Sequence, residues 1–440
     1  MEPLLAPSLA PLLAVFADCF TAPSFQTFQH LVGGWILALG RHTVTGVLRA
    51  SGAVGVKHHT SFHRFFRAAS WKVDDLALAL LRLVLQLVPA EVPIVVPVDD
   101  TLGRHTGKNI RAASMHHDPL LSTRTKPVFH WGHVWVVLAI VVQVPIWRKS
   151  FALPVLVRLY RSKKLCAREK RPFLKKTELA AQMIALLASA VPDRKCLVVA
   201  DSAYGNASVI KSLPFNVEFT GRSRLDAALY ARPQKRKMGR PRVKGARLAS
   251  PAARAKSSHG WRRLRLEVYG KKVTVRVKVF DALWYIVGGG RLMRFVLIRG
   301  WPGHDNDDVL FSTNVNLDAK AIITDYCLRW SLEVTFEEAK GKLGFEDPQN
   351  RTEHAVERTA PMALWLYTLA VIWYLTVGKR TPSARLPADP WYEKKVPAFS
   401  DMLAALRRET WRHRLLDPLA LTRSAQKSVE PLLRAVGYGG

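Results

Sequence analysis

Two apolar runs that end in carboxylates constrain this 440-residue chain more than any other feature. The first, PIVVPVDDT, closes on Asp99 and Asp100, and the second, CLVVADSAYG, closes on Asp201. A Val/Ile-rich run of this length between Pro or Gly punctuation predicts a buried strand. A carboxylate at the end of such a strand is costly unless it is paired, hydrogen-bonded or bound to metal.

A third acidic position lies in the run YCLRWSLEVTFEEAKGKLG. At helical spacing Tyr326, Arg329, Glu333 and Lys340 fall within an arc of about 60°. One face then carries an aromatic hydroxyl, two cations and a carboxylate, a mix that suits metal and phosphate rather than an apolar core. The alternative is a solvated helix with charge pairs four residues apart. Two strand-end carboxylates and a helix carboxylate make an oxygen-ligand site for Mg²⁺ or Mn²⁺.

These blocks resemble a known family. The chain is similar to the DDE transposases of bacterial insertion sequences, in the branch marked by Tyr-x2-Arg-x3-Glu-x6-Lys (YREK). Tyr326, Arg329, Glu333 and Lys340 meet that spacing in full, and Val98-Asp99-Asp100-Thr101 matches the first block, a strand ending in Asp-Thr. Val198 to Gly205 matches the second, an apolar strand followed by Asp and a Ser/Ala-Tyr-Gly turn. The resemblance spans Pro93 to Leu375. It implies a mixed α/β (α+β) fold: a ribonuclease-H-like core, with a β-rich insertion between the second Asp and the Glu.

It also implies the chemistry. DNA would be cut and rejoined in cut-and-paste transposition, with three carboxylates holding two Mg²⁺ or Mn²⁺ ions ~3.5–4 Å apart. Little covalent chemistry falls to the protein, so carboxylate placement is the main requirement. Asp100, Asp201 and Glu333 take these places. Asp99 rivals Asp100, because strand alternation alone does not say which neighbour faces the site. Glu337 rivals Glu333 on nearly the same helical face, and the YREK spacing selects Glu333. Tyr326, Arg329 and Lys340 are expected on phosphates at the transposon end. The partners implied are double-stranded DNA, as transposon ends and target, and a second copy of the chain, since two ends must be joined. In hairpin-forming relatives a Trp of the insertion stacks a flipped base, and Trp261, Trp284 and Trp301 are the candidates.

Composition agrees with a polyanionic partner. Lys and Arg number 66 against 34 Asp and Glu, a formal net charge of +32, which makes nucleic acid the default partner. Cys19, Cys166, Cys196 and Cys327 form no CxxC pair, so no zinc knuckle or redox motif is expected. A reducing, cytoplasmic and nucleoid-associated setting in a bacterium follows. The N-terminal apolar stretch lacks a basic lead and is followed by Asp18, which speaks against a signal peptide. Ala360 to Val377 is 18 residues without a charge, at the threshold for a membrane span. Its place directly after the Glu-bearing helix favours a core helix and no membrane.

The chain divides into five regions. Residues 1–90 read as helices and form a DNA-binding domain, in which Thr43–Ala50 and Ser61–Ala69 could be a helix-turn-helix with Thr60 as N-cap. Lys57, His58, His59, His63, Arg64 and Arg67 lie on or before its second helix; the alternative is a bundle that buries Phe62, Phe65 and Phe66. Residues 91–230 alternate strand and helix, with strands over VFHWGHVWVVLAIVV and QVPIW and a helix from Thr177 to Ala190 capped by Thr177. His116-His117 lacks further ligands at zinc spacing and reads as a loop contact.

Residues 231–313 are a basic linker and a β-rich insertion. The linker includes Arg236, Lys237, Arg240 and Arg242, and its Gly-Arg-Pro core resembles an AT-hook, with a disordered phosphate-binding arm as the plainer reading. Strands are expected over Trp261–Tyr269, Lys272–Phe280, Leu283–Val287 and Arg294–Arg299, with Arg262, Arg263, Arg265, Arg276 and Lys278 as a basic face. Residues 314–378 carry the signature helix or helices, with Ser331 as the candidate break, and 379–440 form a helical tail. The competing function is a domesticated, non-cutting DNA-binding regulator.

Overall fold

The computed structural model describes residues 3–416 except 124, 235–240, 304–305, 387 and 390–391, together with residue 437. The N-terminal part is helical: α1 (Ala10–Ala14), α2 (Ala22–Leu37), α3 (Val44–Ser51), α4 (His59–Arg67) and α5 (Val73–Leu85). The first helical stretch, residues 7–14, is divided, because Pro7 and Pro11 each start a separate turn. Thr43 caps α3 by accepting a hydrogen bond from Gly46 N at 3.2 Å. Thr60, expected to cap α4, lies inside it, and the N-cap is His58. Phe62, Phe65 and Phe66 are all buried, so α4 fills the bundle with its aromatic face while His59, His63, Arg64 and Arg67 stay outside. A Cβ on Gly34 would stand 2.2 Å from Val47 O, so only glycine lets α3 lie this close to α2.

The sheet begins with β1 (Ile94–Arg104), β2 (Ser114–His117), β3 (Phe129–Val144) and β4 (Lys149–Tyr160). After α6 (Lys163–Arg168) and α7 (Lys176–Ala190) come β5 (Cys196–Ala200), α8 (Ala207–Ile210) and β6 (Val217–Arg222). β3 runs antiparallel to β1 and β4, while β1, β5 and β6 run parallel. QVPIW is not a strand: Pro145–Trp147 is a single turn that joins β3 to β4. Thr177 lies within α7, whose first turn is closed by Glu178 accepting from Lys175 N at 2.8 Å.

The insertion contributes α9 (Pro251–Lys256), β7 (Arg262–Val268), β8 (Lys271–Leu283), α10 (Tyr285–Gly288), β9 (Leu292–Arg299) and β10 (Asp308–Ser312). β10 pairs with β6, so the insertion lengthens the existing sheet to the order β2-β3-β1-β5-β6-β10-β9-β8-β7, with β4 on β3. The strand expected at Leu283–Val287 is absent, because β8 itself runs on to Leu283 and the chain then turns into α10. Lys278 leaves the expected basic face: it is buried and donates to Arg254 O and Ser257 O at 2.8 and 2.7 Å.

The signature segment forms two helices, α11 (Ala319–Cys327) and α12 (Trp330–Leu343), broken at Leu328–Arg329 rather than at Ser331. α13 (Glu353–Thr376) and α14 (Phe399–Leu416) follow. α13 is long and apolar enough to cross a membrane, yet 94% of its apolar window is buried within the fold. It packs on β4, α4, α5, α12 and α14. Buried Arg358 on α13 donates to Phe66 O, Ala69 O and Trp71 O at 3.2, 2.8 and 2.6 Å, and lies 4.5 Å from the centre of the Trp71 ring. It thereby caps the end of α4 and fixes it to the centre of the protein. The result is a mixed α/β fold with a ribonuclease-H-like core, helical at its N-terminus and extended by a β-rich insertion.

Candidate active site at the ends of the central strands

β1 and β5 run parallel as far as Val98 beside Ala200; β5 then stops, with Asp201 the next residue, whereas β1 does not end at Asp99 and Asp100 as expected but runs on to Arg104, with Asp99 opposite Val137 of β3. Register partners share a face, and their neighbours take the opposite one. Asp99 therefore looks toward α11 and α12, and Asp100 looks toward α7.

Arg329, the N-cap of α12, ties the first face together. Its Nη1 lies 2.5 Å from Asp99 Oδ2 and its Nη2 2.6 Å from Glu333 Oε1. One guanidinium thus bridges a carboxylate of β1 and the helix carboxylate one turn away. Burial pushes the Asp99 carboxyl up from 3.8 to about 7; Arg329 opposes this, and the negative charges of Asp201 and Asp100 add to it. Burial would lower the Arg329 guanidinium, but Asp99, Tyr326 and Glu333 outweigh it and hold it above its usual range. Tyr326 lies beneath Arg329, whose guanidinium carbon is 5.9 Å from the ring centre. Burial raises its hydroxyl, partly offset by Arg329 and Arg222.

Asp201 plays two parts. Its Oδ1 accepts from Ala203 N at 2.9 Å and Tyr204 N at 3.4 Å, the turn-forming role of a strand-end Asp. Its Oδ2 has no hydrogen-bond partner among the described residues. Asp100 is fully engaged on the other face, where Lys176 Nζ is 2.6 Å from Oδ2 and Tyr204 Oη donates to Oδ1 at 2.8 Å.

The remaining expected residues divide. Lys340 donates to Leu102 O at 2.7 Å and lies 3.8 Å from Glu346, so it pins α12 to β1. Burial lowers its ammonium. Glu337 is exposed and makes no ion pair among the described residues. Arg64 and Arg242 are exposed and do not touch the carboxylates. Arg236, Lys237 and Arg240 lie outside the described residues. His116 and His117 alternate across β2 rather than forming a pair: His116 is buried, pushed down to about 4 by burial and then Lys176, while His117 is exposed. Trp284 is buried against Phe295 and Phe311, which removes it from base stacking. The Trp261 ring is covered by Lys278 and Arg299, at 4.8 and 4.4 Å from its centre. Trp301 is partly buried against the β7–β10 and α11 cluster.

Two contributors went unnoticed in the sequence as site residues. Lys176 meets Asp100 across 76 residues, and no local spacing marks it. Tyr204 stands out only as part of a turn motif, although its hydroxyl reaches β1.

The donor chemistry fits a hard divalent cation: Asp99, Asp201 and Glu333 offer carboxylate oxygen from the middle of β1, the end of β5 and a helix. Among the described residues no three His, Cys, Asp or Glu side chains already form a metal-binding group. The Arg329 guanidinium spans Asp99 and Glu333. A proton and a cation compete for Asp99, so Mn²⁺ affinity is expected to rise about tenfold per pH unit below 7 and level off above it. Calorimetric titration from about pH 5.5 to 8.5 checks this, and a flat profile contradicts it. The raised value also means that Asp99 favours the folded state at low pH and loses that contribution as pH rises through about 7.

Comparison with known proteins adds the family. A family model described as DDE superfamily endonuclease matches residues 15–278. A solved piggyBac transposase synaptic complex with hairpin DNA shares 12% identity, covering 97% of this chain and 81% of that one at a TM-score of 0.41, a loose likeness of shape. No curated relative matches the sequence.

Proposed function

We propose that this chain, which belongs to the DDE superfamily endonucleases, is a DNA transposase that cuts and rejoins DNA ends by phosphoryl transfer. Asp99 and Glu333 on one guanidinium, with Asp201 directly after Ala200, the β5 register partner of Val98, carry this reading. Asp99 takes the first metal-ligand place in preference to Asp100, because Asp100 faces α7 and spends both oxygens on Lys176 and Tyr204.

A divalent cation, Mg²⁺ or Mn²⁺, would be held by Asp99, Asp201 and Glu333, and when bound supplies charge neutralisation and a more acidic water. The chain's own groups do the rest. The short turn at Asp201 fixes its free oxygen at the strand end. Arg329 presents a planar fork that matches two phosphate oxygens as well as it matches two carboxylates. Tyr326 supports that fork from below. Lys340 holds α12, and with it Glu333, against β1. The net charge of +32 draws the chain to DNA. Since two ends must be joined, a homodimer is the expected assembly on DNA.

Labelled DNA carrying the gene's own flanking ends, incubated with a target plasmid, tests this. Mg²⁺-dependent joined product is expected, and none in chelator. Stable binding with no nicking in Mg²⁺ or Mn²⁺ would favour the non-cutting regulator.

A further inference from the structure

We propose that the groove between α4 and residues 348–352 seats the sugar-phosphate backbone of DNA, an inference that rests on the DNA reading above. The groove measures about 380 Å³ and is lined by His63 and Arg67 from α4, by Thr43 ahead of α3, and by Asn350, Arg351 and Thr352 ahead of α13. That is room for about a dozen waters, ample for a sugar and its phosphates.

Its lining carries cations, amides and hydroxyls but no acid. Arg67 and Arg351 are exposed, and neither forms an ion pair among the described residues. Neighbouring arginines behave differently: Arg161 bridges Glu353 and Glu357, Arg111 meets Glu169, and Arg104 meets Asp118. Two cations that line one concavity with no carboxylate leave their charge available to an anion. The Thr352 hydroxyl in the lining is buried and has no hydrogen-bond partner among the described residues. A phosphate answers all of these at once, with oxygens for two arginines and for a hydroxyl donor.

Both walls are fixed in advance. Arg358 anchors the end of α4 to α13, Asp347 accepts from His42 N at 2.7 Å, and Arg111 N donates to Asn350 O at 3.0 Å. Little ordering is left for binding to supply. The wall formed by 348–352 continues from α12, the helix that carries Glu333, so the groove and the carboxylates share one rigid support. Contacts of this kind position a duplex without reading its sequence.

The test is a salt series of DNA binding by the full chain. The Arg67→Gln/Arg351→Gln pair is compared with wild type, with Arg67→Lys/Arg351→Lys, and with Lys211→Gln, an exposed cation outside the groove. The Gln pair is expected to bind about tenfold more weakly at low salt. Its plot of log K against log salt should be shallower by about 0.9 per phosphate lost. The Lys pair should keep most of the slope. A Gln pair that behaves like Lys211→Gln overturns the proposal. Arginine-selective modification by phenylglyoxal, read by mass spectrometry on wild type, is independent of folding of the variants: DNA should protect Arg67 and Arg351. Unchanged modification in the complex, or protection by inorganic phosphate but not by DNA, overturns it. Wild type that binds no DNA at all would instead sink the functional reading, and this inference with it.

Discussion

Asp99→Asn should abolish metal-dependent cleavage of DNA ends, a loss of ~10³-fold or more, while Asp100→Asn should stay within about tenfold of wild type. The difference follows from facing. Asp99 and Asp201 each follow the last β1–β5 register pair, Val98 and Ala200, and Asp99 shares Arg329 with Glu333, whereas Asp100 is held by Lys176 and Tyr204 behind the sheet. Asparagine keeps the shape of either side chain and removes only its charge. At Asp99 that takes away a ligand; at Asp100 it weakens a support that still retains the Tyr204 hydroxyl. DNA binding should persist in both, because few of the cations that give the +32 charge lie in this cluster. Single-turnover cleavage measures the pair. Activity retained by Asp99→Asn and lost by Asp100→Asn would reverse the facing.

Arg358→Ala should cost about 3–5 kcal/mol of stability, among the largest effects of any single change away from the active site. Its guanidinium satisfies three carbonyls at and after the end of α4 and lies over Trp71. Two of those acceptors belong to Phe66 and Trp71, at 0% and 3% exposure, where no water readily replaces the lost donor, while the Ala69 carbonyl is partly buried. Burial lowers the Arg358 guanidinium, consistent with its enclosed position. Arg358→Lys should recover little, since one ammonium does not span three carbonyls. Denaturant unfolding followed by circular dichroism checks this; a loss below about 1 kcal/mol would mean that α4 is held by its phenylalanines alone.

β1 and β5 were legible because their runs are dense in Val and Ile; β1 keeps Pro97 in register with Val199, yet it runs on to Arg104, beyond the end that PIVVPVDD predicts. β4 escaped notice although it is as buried: Pro154 interrupts KSFALPVLVRLY, and the sheet accommodates it by a register shift opposite Leu138 and Ala139. The YREK spacing placed Arg329 and Glu333 on one face, which the structure keeps. It also placed Tyr326 and Lys340 there: Tyr326 lies across the helix break in α11 and still meets Arg329, while Lys340, seven residues after Glu333 on α12, donates to Leu102 O. The choice between Asp99 and Asp100 was not legible, because alternation sorts neighbours onto opposite faces without naming them. Only the register with β5 and the approach of Arg329 do that. Trp284 and Lys278 looked like surface groups in an insertion, and their burial depends on β9, β10 and α9 folding over them.

The most direct measurement is cleavage of DNA carrying the gene's own flanking ends in Mg²⁺, with wild type beside Asp201→Asn and Glu333→Gln. Cutting at the element boundary by wild type alone, with all three proteins binding the DNA, is the expected result. Equal cutting by either variant would contradict the site, and binding without cutting by all three would contradict the transposase.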